Sequence, residues 1–163
     1  MDENIEVVPV NIETERAEIT RLLRRSFIGS AEEMRLTEEN CPHHVAYMTE
    51  ERLREQLARG SRCLGIAWRG EWIGFVAVAP YMDNYEITRL AVTPEHRRNG
   101  YGRKLIDAAC DAARELGLTE ISLGMIDENR VLKKWYEAQG FIPGEPFRNP
   151  GDLFTRCGMT KRL

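Results

Sequence analysis

The sequence predicts one α/β domain over residues 1–163, with a mixed, mostly antiparallel sheet flanked by helices. Three observations predict it. β-type and helix-type runs alternate along the whole chain. A glycine turn, Arg69-Gly70-Glu71, separates two β-type runs and marks a hairpin. The second half then reads strand, helix, strand, helix, strand. Hairpins give antiparallel pairs, and strands joined through helices give parallel ones, so the sheet must be mixed. A length of 163 residues suits a single domain with its own core.

Each element has a local reason. Ile5 to Val10 is rich in β-branched residues and reads as a first strand. Thr14 to Phe27 places Ile19, Leu22, Leu23 and Phe27 near helical spacing. Ile28 to Tyr47 is polar and irregular, long for a connector, and long loops often shape binding sites. Thr49 is a suitable N-cap and Gly60 a suitable stop for a helix carrying Leu53 and Leu57. Cys63 to Trp68 and Trp72 to Val78 form the hairpin, and Tyr85 to Val92 a third strand. Leu105, Ala109, Ala112 and Leu116 then recur at steps of four and three, ending at Gly117, which predicts a helix from Gly100 to Leu116. Glu120 to Ile126 is a strand. Asp127-Glu128-Asn129 supplies cap chemistry for a helix bearing Val131, Leu132 and Trp135 that stops at Gly140. Phe141 and Leu153 to Met159 read as final strands.

Composition narrows the function. A net charge of −3 argues against a nucleic-acid coat protein, and no apolar run approaches the length of a membrane span. The start, Met1-Asp2-Glu3-Asn4, is acidic where a signal peptide would be basic, which predicts a cytoplasmic protein. Cys41, Cys63, Cys110 and Cys157 form no CxxC pair and read as free thiols.

The chemistry concentrates between Glu86 and Phe141. A β-type run ends at Val92. A basic turn follows, His96, Arg97, Arg98, Asn99, Gly100, Tyr101, Gly102, and then a helix opening with Arg103 and Lys104. Strand, glycine turn and helix together present free backbone N–H groups and a positive helix end to an anion. Cations in a first helical turn oppose the macrodipole, a penalty that a bound polyanion reverses. No Gly-x-x-x-x-Gly-Lys-Ser/Thr phosphate loop is present. Gly100-x-Gly102-x-x-Leu105 lacks the third glycine of a dinucleotide fingerprint and lies too far from Val92 for its tight crossover.

Val92-x-Pro94-x-x-Arg97-x-x-Gly100-x-Gly102-x-x-Leu105 resembles the acetyl-CoA motif of the GNAT superfamily of N-acetyltransferases. A second block, Asn129, Leu132, Tyr136 and Gly140-Phe141, resembles the family's next conserved segment, with Leu132 where a small residue is usual. The two blocks cover Glu86 to Phe141. The resemblance implies a single acyl-CoA N-acyltransferase-like domain that uses acetyl-CoA as co-substrate and needs no metal. Gly100 and Gly102 would let the backbone approach the pyrophosphate, while Arg97, Arg98, Arg103 and Lys104 add charge-assisted contacts. Asn99 and Tyr101 complete that turn. Asn129 and Tyr136 share a helix face, seven residues apart. Asn129 would bond a pantetheine amide and Tyr136 would protonate the departing sulfur. The plain alternatives are an N-cap for Asn129 and packing beside Trp135 for Tyr136.

Glu86 stands where the histone-acetylating branch of the family carries its general base. An ammonium acceptor needs one, because a protonated amine cannot attack. By period two Glu86 shares a face with Thr88, Leu90 and Val92 unless a bulge intervenes, and a solvent-facing strand glutamate is the plain alternative. A backbone N–H near Leu90 or Ala91 would meet the tetrahedral oxyanion. Asp83 and Tyr85 are further acceptor-side candidates. Cys41, His43 and His44 lack the further ligands or triad member that a metal site or nucleophile needs, and read as a loop beside the acceptor cleft. Glu32, Glu33, Glu38 and Glu39 favour a cationic small amine or a peptide amine as acceptor. A homodimer is compatible with this reading. A non-catalytic acyl-CoA-binding or interaction module on the same fold is the alternative of a different class.

Overall fold

A computed structural model of the chain describes residues 5–57 and 60–163. Seven strands form one sheet: β1 (Val8–Pro9), β2 (Arg62–Trp68), β3 (Glu71–Tyr81), β4 (Asn84–Val92), β5 (Glu120–Ile126), β6 (Ile142–Pro143) and β7 (Arg156–Arg162). Among the described residues, four α-helices accompany them: α1 (Ile12–Glu33), α2 (Glu50–Gln56), α3 (Tyr101–Glu115) and α4 (Arg130–Ala138). The strand order is β1-β2-β3-β4-β5-β7-β6. Every strand pairing is antiparallel except β4 with β5. The α/β fold with a mixed, mostly antiparallel sheet is therefore as expected.

Local chemistry explains most boundaries. The β2–β3 loop is Arg69-Gly70, both with positive φ (50° and 82°), the two-residue turn that matches strand twist. Thr49 caps α2 by accepting from the Arg52 N–H at 3.2 Å. The expected run of that helix to Gly60 passes through residues 58 and 59, outside the described chain, as are Met1 to Asn4. Leu116 caps α3, and Gly117 follows with φ 79°.

Four expectations are corrected. The first strand shrinks to Val8–Pro9, where proline cannot extend the ladder. Helix α1 starts at Ile12, capped by Asn11, and runs on to Glu33. Gly29 does not stop it, because Ala31 is fully buried and keeps the last turns docked. The irregular segment is thus 34–49, with one 3₁₀ turn at Val45–Tyr47. Phe141 lies outside a strand: its N–H bonds the Tyr136 carbonyl and closes the end of α4. Strand β7 begins at Arg156, later than Leu153.

The sheet buries both faces. Helices α3 and α4 cover one with Leu105, Ile106, Ala109, Ala113 and Tyr136 against Ile66, Val76, Val78 and Ile87. Helices α1 and α2 cover the other with Ile19, Leu22, Leu23 and Leu53 against Phe75, Ala77, Ala79 and Ala91. Among the described residues, no helix is long and apolar enough to cross a membrane.

Two irregularities of β4 create the site. Its ladder with β3 jumps from Ala77↔Thr88 to Phe75↔Ala91, so Val76 faces both Arg89 and Leu90. This is a β-bulge, and Arg89 takes φ 55°. The bulge inverts the alternation: Ile87 packs towards α3 and α4, and so do Leu90 and Val92, while Ala91 packs towards α1 and α2. Glu86 therefore shares its face with Thr88 but not with Leu90 and Val92. On the other edge, β4 and β5 share the single register pair Glu86↔Ser122 and then part.

Candidate active site

Where β4 and β5 part, a cleft of about 680 Å³ passes through the sheet. Its walls include Glu86, Thr88, Arg89 and Leu90 from β4 and Ser122 to Ile126 from β5. Asn129, Leu132 and Tyr136 of α4 line it from one side. Phe27 of α1, Met34, His43 and His44 of the 34–49 segment, and Phe147 and Phe154 of the β6–β7 loop line it from the other. The missing backbone pairs of two diverging parallel strands thus become accessible groups.

Tyr136 is 7% exposed, edge-on to Trp135 and Phe141 at 5.2 and 5.8 Å. Burial pushes its phenol well above the ordinary tyrosine range, so it stays protonated across working pH. Asn129 is the N-cap of α4, its Oδ1 accepting from the Leu132 N–H at 3.2 Å. That leaves its amide NH₂ as a donor on the cleft wall. The start of α4 is fixed by Asp127, which is buried and takes Lys133 Nζ at 2.6 Å and Arg130 Nη2 at 3.1 Å. The Glu128 carboxylate accepts from the Thr155 N–H at 2.8 Å, tying the same corner to the approach to β7.

Glu86 is half-buried. Burial raises its carboxyl pKa, and the nearby Arg89 guanidinium opposes that rise. His44 caps the 3₁₀ turn, its Nδ1 accepting from the Ala46 N–H at 3.1 Å, and burial lowers its pKa. A ring nitrogen that accepts is unprotonated, so His44 is neutral here. Arg52 holds the same segment, donating to the carbonyls of Pro42, His43 and Tyr47.

The glycine turn precedes α3. Gly100 is its N-cap with φ 80°, with no side-chain cap bond and no acidic residue in the first turn. Among the described residues, the N–H groups of Arg98, Asn99 and Gly100 have no protein acceptor, and those of the first turn have none within the helix. The turn is braced from inside: Asn99 Nδ2 donates to the carbonyls of His96 and Arg97 at 3.0 and 3.2 Å. Not every basic side chain is available to an anion. Arg97 donates to the carbonyls of Val92 (3.0 Å) and Ser26 (2.6 Å), tying α1 to β4. Lys104 reaches the Ile5 carbonyl at 3.0 Å, and Arg103 lies 3.9 Å from Asp107. Arg98 makes no such contact among the described residues. Gly102 has a packing role as well: a Cβ there would stand 3.2 Å from Trp135, the neighbour of Tyr136.

A family model described as the acetyltransferase (GNAT) family matches residues 18–141. The chain belongs to the GNAT acetyltransferase family. It is 28% identical over 123 residues to N-acetyltransferase family 8 member 3 of Mus musculus, a match spanning 71% of this chain and 50% of that one. The chain spans half or less of the curated rodent relatives it matches. Among solved structures it resembles a PaiA N-acetyltransferase of Thermoplasma acidophilum in complex with coenzyme A, with TM-score 0.78, 22% identity and coverage of 99% and 100% of the two chains. It also resembles the ribosomal-protein-S18-alanine N-acetyltransferase of Escherichia coli, with TM-score 0.75, 16% identity and coverage of 96% and 92%.

In this GNAT domain the residues singled out in the sequence divide into groups. Glu86, Leu90, Asn129 and Tyr136 meet at one cleft. Arg97 to Lys104 form the turn and first helical turn, reaching α4 through Gly102 and Trp135. Asp83 sits exposed in the β3–β4 loop, and Tyr85 packs in the core towards α3. His43 and His44 line the cleft, whereas Cys41 packs beside Ala31 and Leu36. Glu32, Glu33, Glu38 and Glu39 are exposed and do not line it. All four cysteines are free thiols. Sequence reasoning missed Phe27, Met34, Phe147 and Phe154, for which no local signal exists. It also missed Arg89, whose signal was a cation in the middle of an apolar strand run.

Proposed function

We propose that this domain transfers the acetyl group of acetyl-CoA to a primary amine by direct attack in a ternary complex. One observation carries the reading: the cleft opened by the parting of β4 and β5 has a buried, protonated phenol on one side and a half-buried carboxylate on the other. The N–H groups of 98–103, unpaired among the described residues, receive the pyrophosphate, with the Arg98 side chain as a cation beside them. The Asn129 amide donates to the pantetheine arm. Glu86 takes a proton from the bound ammonium, directly or through water. The amine nitrogen then bonds to the thioester carbon, and a backbone N–H near Leu90 or Ala91, beside the β4 bulge, stabilises the oxyanion. The C–S bond breaks, Tyr136 protonates the leaving thiolate, of ordinary pKa about 8.5, and the proton that the nitrogen sheds as the amide forms returns Tyr136 to its phenol form, directly or through water.

The acceptor enters from the side of α1 and the β6–β7 loop. Phe27, Met34, Phe147 and Phe154 there favour an amine on an apolar-flanked carrier, a bulky small amine or a peptide amine, over a bare polycation. Four free thiols suit a reducing, cytoplasmic setting. The test is thiol release from acetyl-CoA across a panel of aromatic amines, polyamines, aminoglycosides, amino acids and peptides. Release with an amine in the panel supports the enzyme. Coenzyme binding without release from any amine marks a binding module on the same fold.

A further inference from the structure

We propose that Arg89 is a positioning residue for Glu86, a fixed cation brought onto the carboxylate's face by the β4 bulge so that Glu86 stays ionised in the cleft. This rests on Glu86 being the base. In a regular strand Arg89 would point with Tyr85 and Ile87 towards α3 and α4. The bulge, with Arg89 at φ 55°, puts it on the opposite face. There its guanidinium donates from Nη1 to Thr88 Oγ1 at 3.0 Å and from Nη2 to Gln56 Oε1 of α2. A side chain other than glycine rarely keeps such a backbone unless its surroundings demand it, and such outliers gather at functional sites.

Two further facts point from Arg89 to Glu86. Arg89 Nε is buried and has no acceptor among the described residues. A buried donor without a partner favours a nearby negative charge. Glu86 and Arg89 also line the same cleft and act on each other: Arg89 opposes the rise that burial imposes on Glu86, and Glu86 raises Arg89.

Among the described residues, the other groups around the cleft do not take the place of Arg89. His43 and the neutral His44 line the cleft from the connecting segment, Tyr81 from β3, Tyr136 from α4, and Arg156 and Cys157 from β7. Arg156 is paired with Asp152 at 3.5 Å. Arg52 of α2 spends its donors on three carbonyls. Cys63 of β2, beside Arg89, is pushed up to about 11 by burial and is a neutral thiol. Helix α1 and β5 bring no titratable side chain to the cleft. Among the described residues, Arg89 is therefore a cation that lines the cleft beside Glu86 and has no carboxylate partner of its own, whereas Arg52 does not line it.

The experiment is an NMR titration of the Glu86 carboxyl, assigned by its loss in Glu86→Gln, in the wild type, Arg89→Gln and Arg89→Lys. The expected result is an upward move of the Glu86 midpoint by about one pH unit in Arg89→Gln, with Arg89→Lys close to wild type. An unmoved midpoint in folded Arg89→Gln overturns the proposal. If that variant does not fold, Arg89→Met with Gln56→Leu removes the charge together with its bonding partner, and the same two outcomes decide. The readout needs no acceptor. Turnover of Glu86→Gln separately tests whether Glu86 is the base, so the two ideas fail in different measurements.

Discussion

The glycine turn and the cleft are neighbours built from different material. The turn at 97–104 is contiguous, and its offering is mostly backbone: N–H groups left unpaired by Gly100 and the first turn of α3. Its cations are largely committed elsewhere, Arg97 to α1 and β4, and Lys104 to the Ile5 carbonyl. The cleft is assembled from side chains of separate segments, α1, the 34–49 connection, β4, β5, α4 and the β6–β7 loop. The difference teaches where each function can be damaged. On the proposed reading, the turn should tolerate loss of a charge but not added bulk. The cleft should tolerate bulk at its rim but not loss of a proton carrier.

If that division is right, the largest effects are catalytic and leave coenzyme binding alone. Tyr136→Phe lowers kcat by roughly 10²- to 10⁴-fold with unchanged acetyl-CoA affinity, and equal turnover under chemistry-limited conditions would return Tyr136 to packing. Glu86→Gln lowers the neutral-pH rate over a similar range of about 10²- to 10⁴-fold, and raising the pH recovers part of it because more amine arrives deprotonated. Superimposable pH–rate profiles for the two proteins would remove Glu86 from the reaction. The converse prediction belongs to the turn. Gly102→Val weakens coenzyme A binding roughly tenfold or more by calorimetry. Adding Trp135→Leu relieves the clash at 3.2 Å but does not restore affinity. Full rescue would mean Gly102 serves packing alone.

The smallest effect lies at the joint between the regions. The hydrogen bond from Lys133, with burial opposing and Arg130 assisting, holds the Asp127 carboxyl below its usual range. A depressed carboxyl contributes stability above its unfolded pKa of about 3.9 and loses it as pH falls through the folded value. Asp127→Asn therefore lowers stability at neutral pH and flattens its decline below about pH 4 in denaturant titrations. A wild-type acid limb in that variant would show that the pair does not anchor α4.

The sequence was most readable where structure is local. The caps at Thr49 and Asn129, the hairpin at Gly70 and the turn at Gly100 each follow from a few adjacent residues. Boundaries failed where distant packing decides: α1 runs through Gly29 because Ala31 is buried beneath the 34–49 segment. Tyr136, Asn129 and Glu86 were legible as candidates, because motif and strand position mark them. That they meet across a parting of two strands was not, because the parting depends on β5 pairing with β7 from the end of the chain. The β4 bulge was foreseen only as an exception to alternation, since register with β3 leaves no mark on β4 itself.

The single backbone pair between Glu86 and Ser122 has a mechanical meaning. Strands β1 to β4 form one plate and β5 to β7 another, each laced by antiparallel ladders. The seam between them is carried by one pair and by the packing of α3 and α4 across it. Force applied between an anchor on β3 and one on β7, which belong to different plates, crosses that seam, where it meets one pair rather than a ladder. The expected line of yielding is the cleft itself. Acetyl-CoA held as proposed, between the turn on one plate and Asn129 on the other, acts as a rivet, so the rupture force in a pulling experiment rises with coenzyme A and stays flat if the coenzyme sits on one plate only.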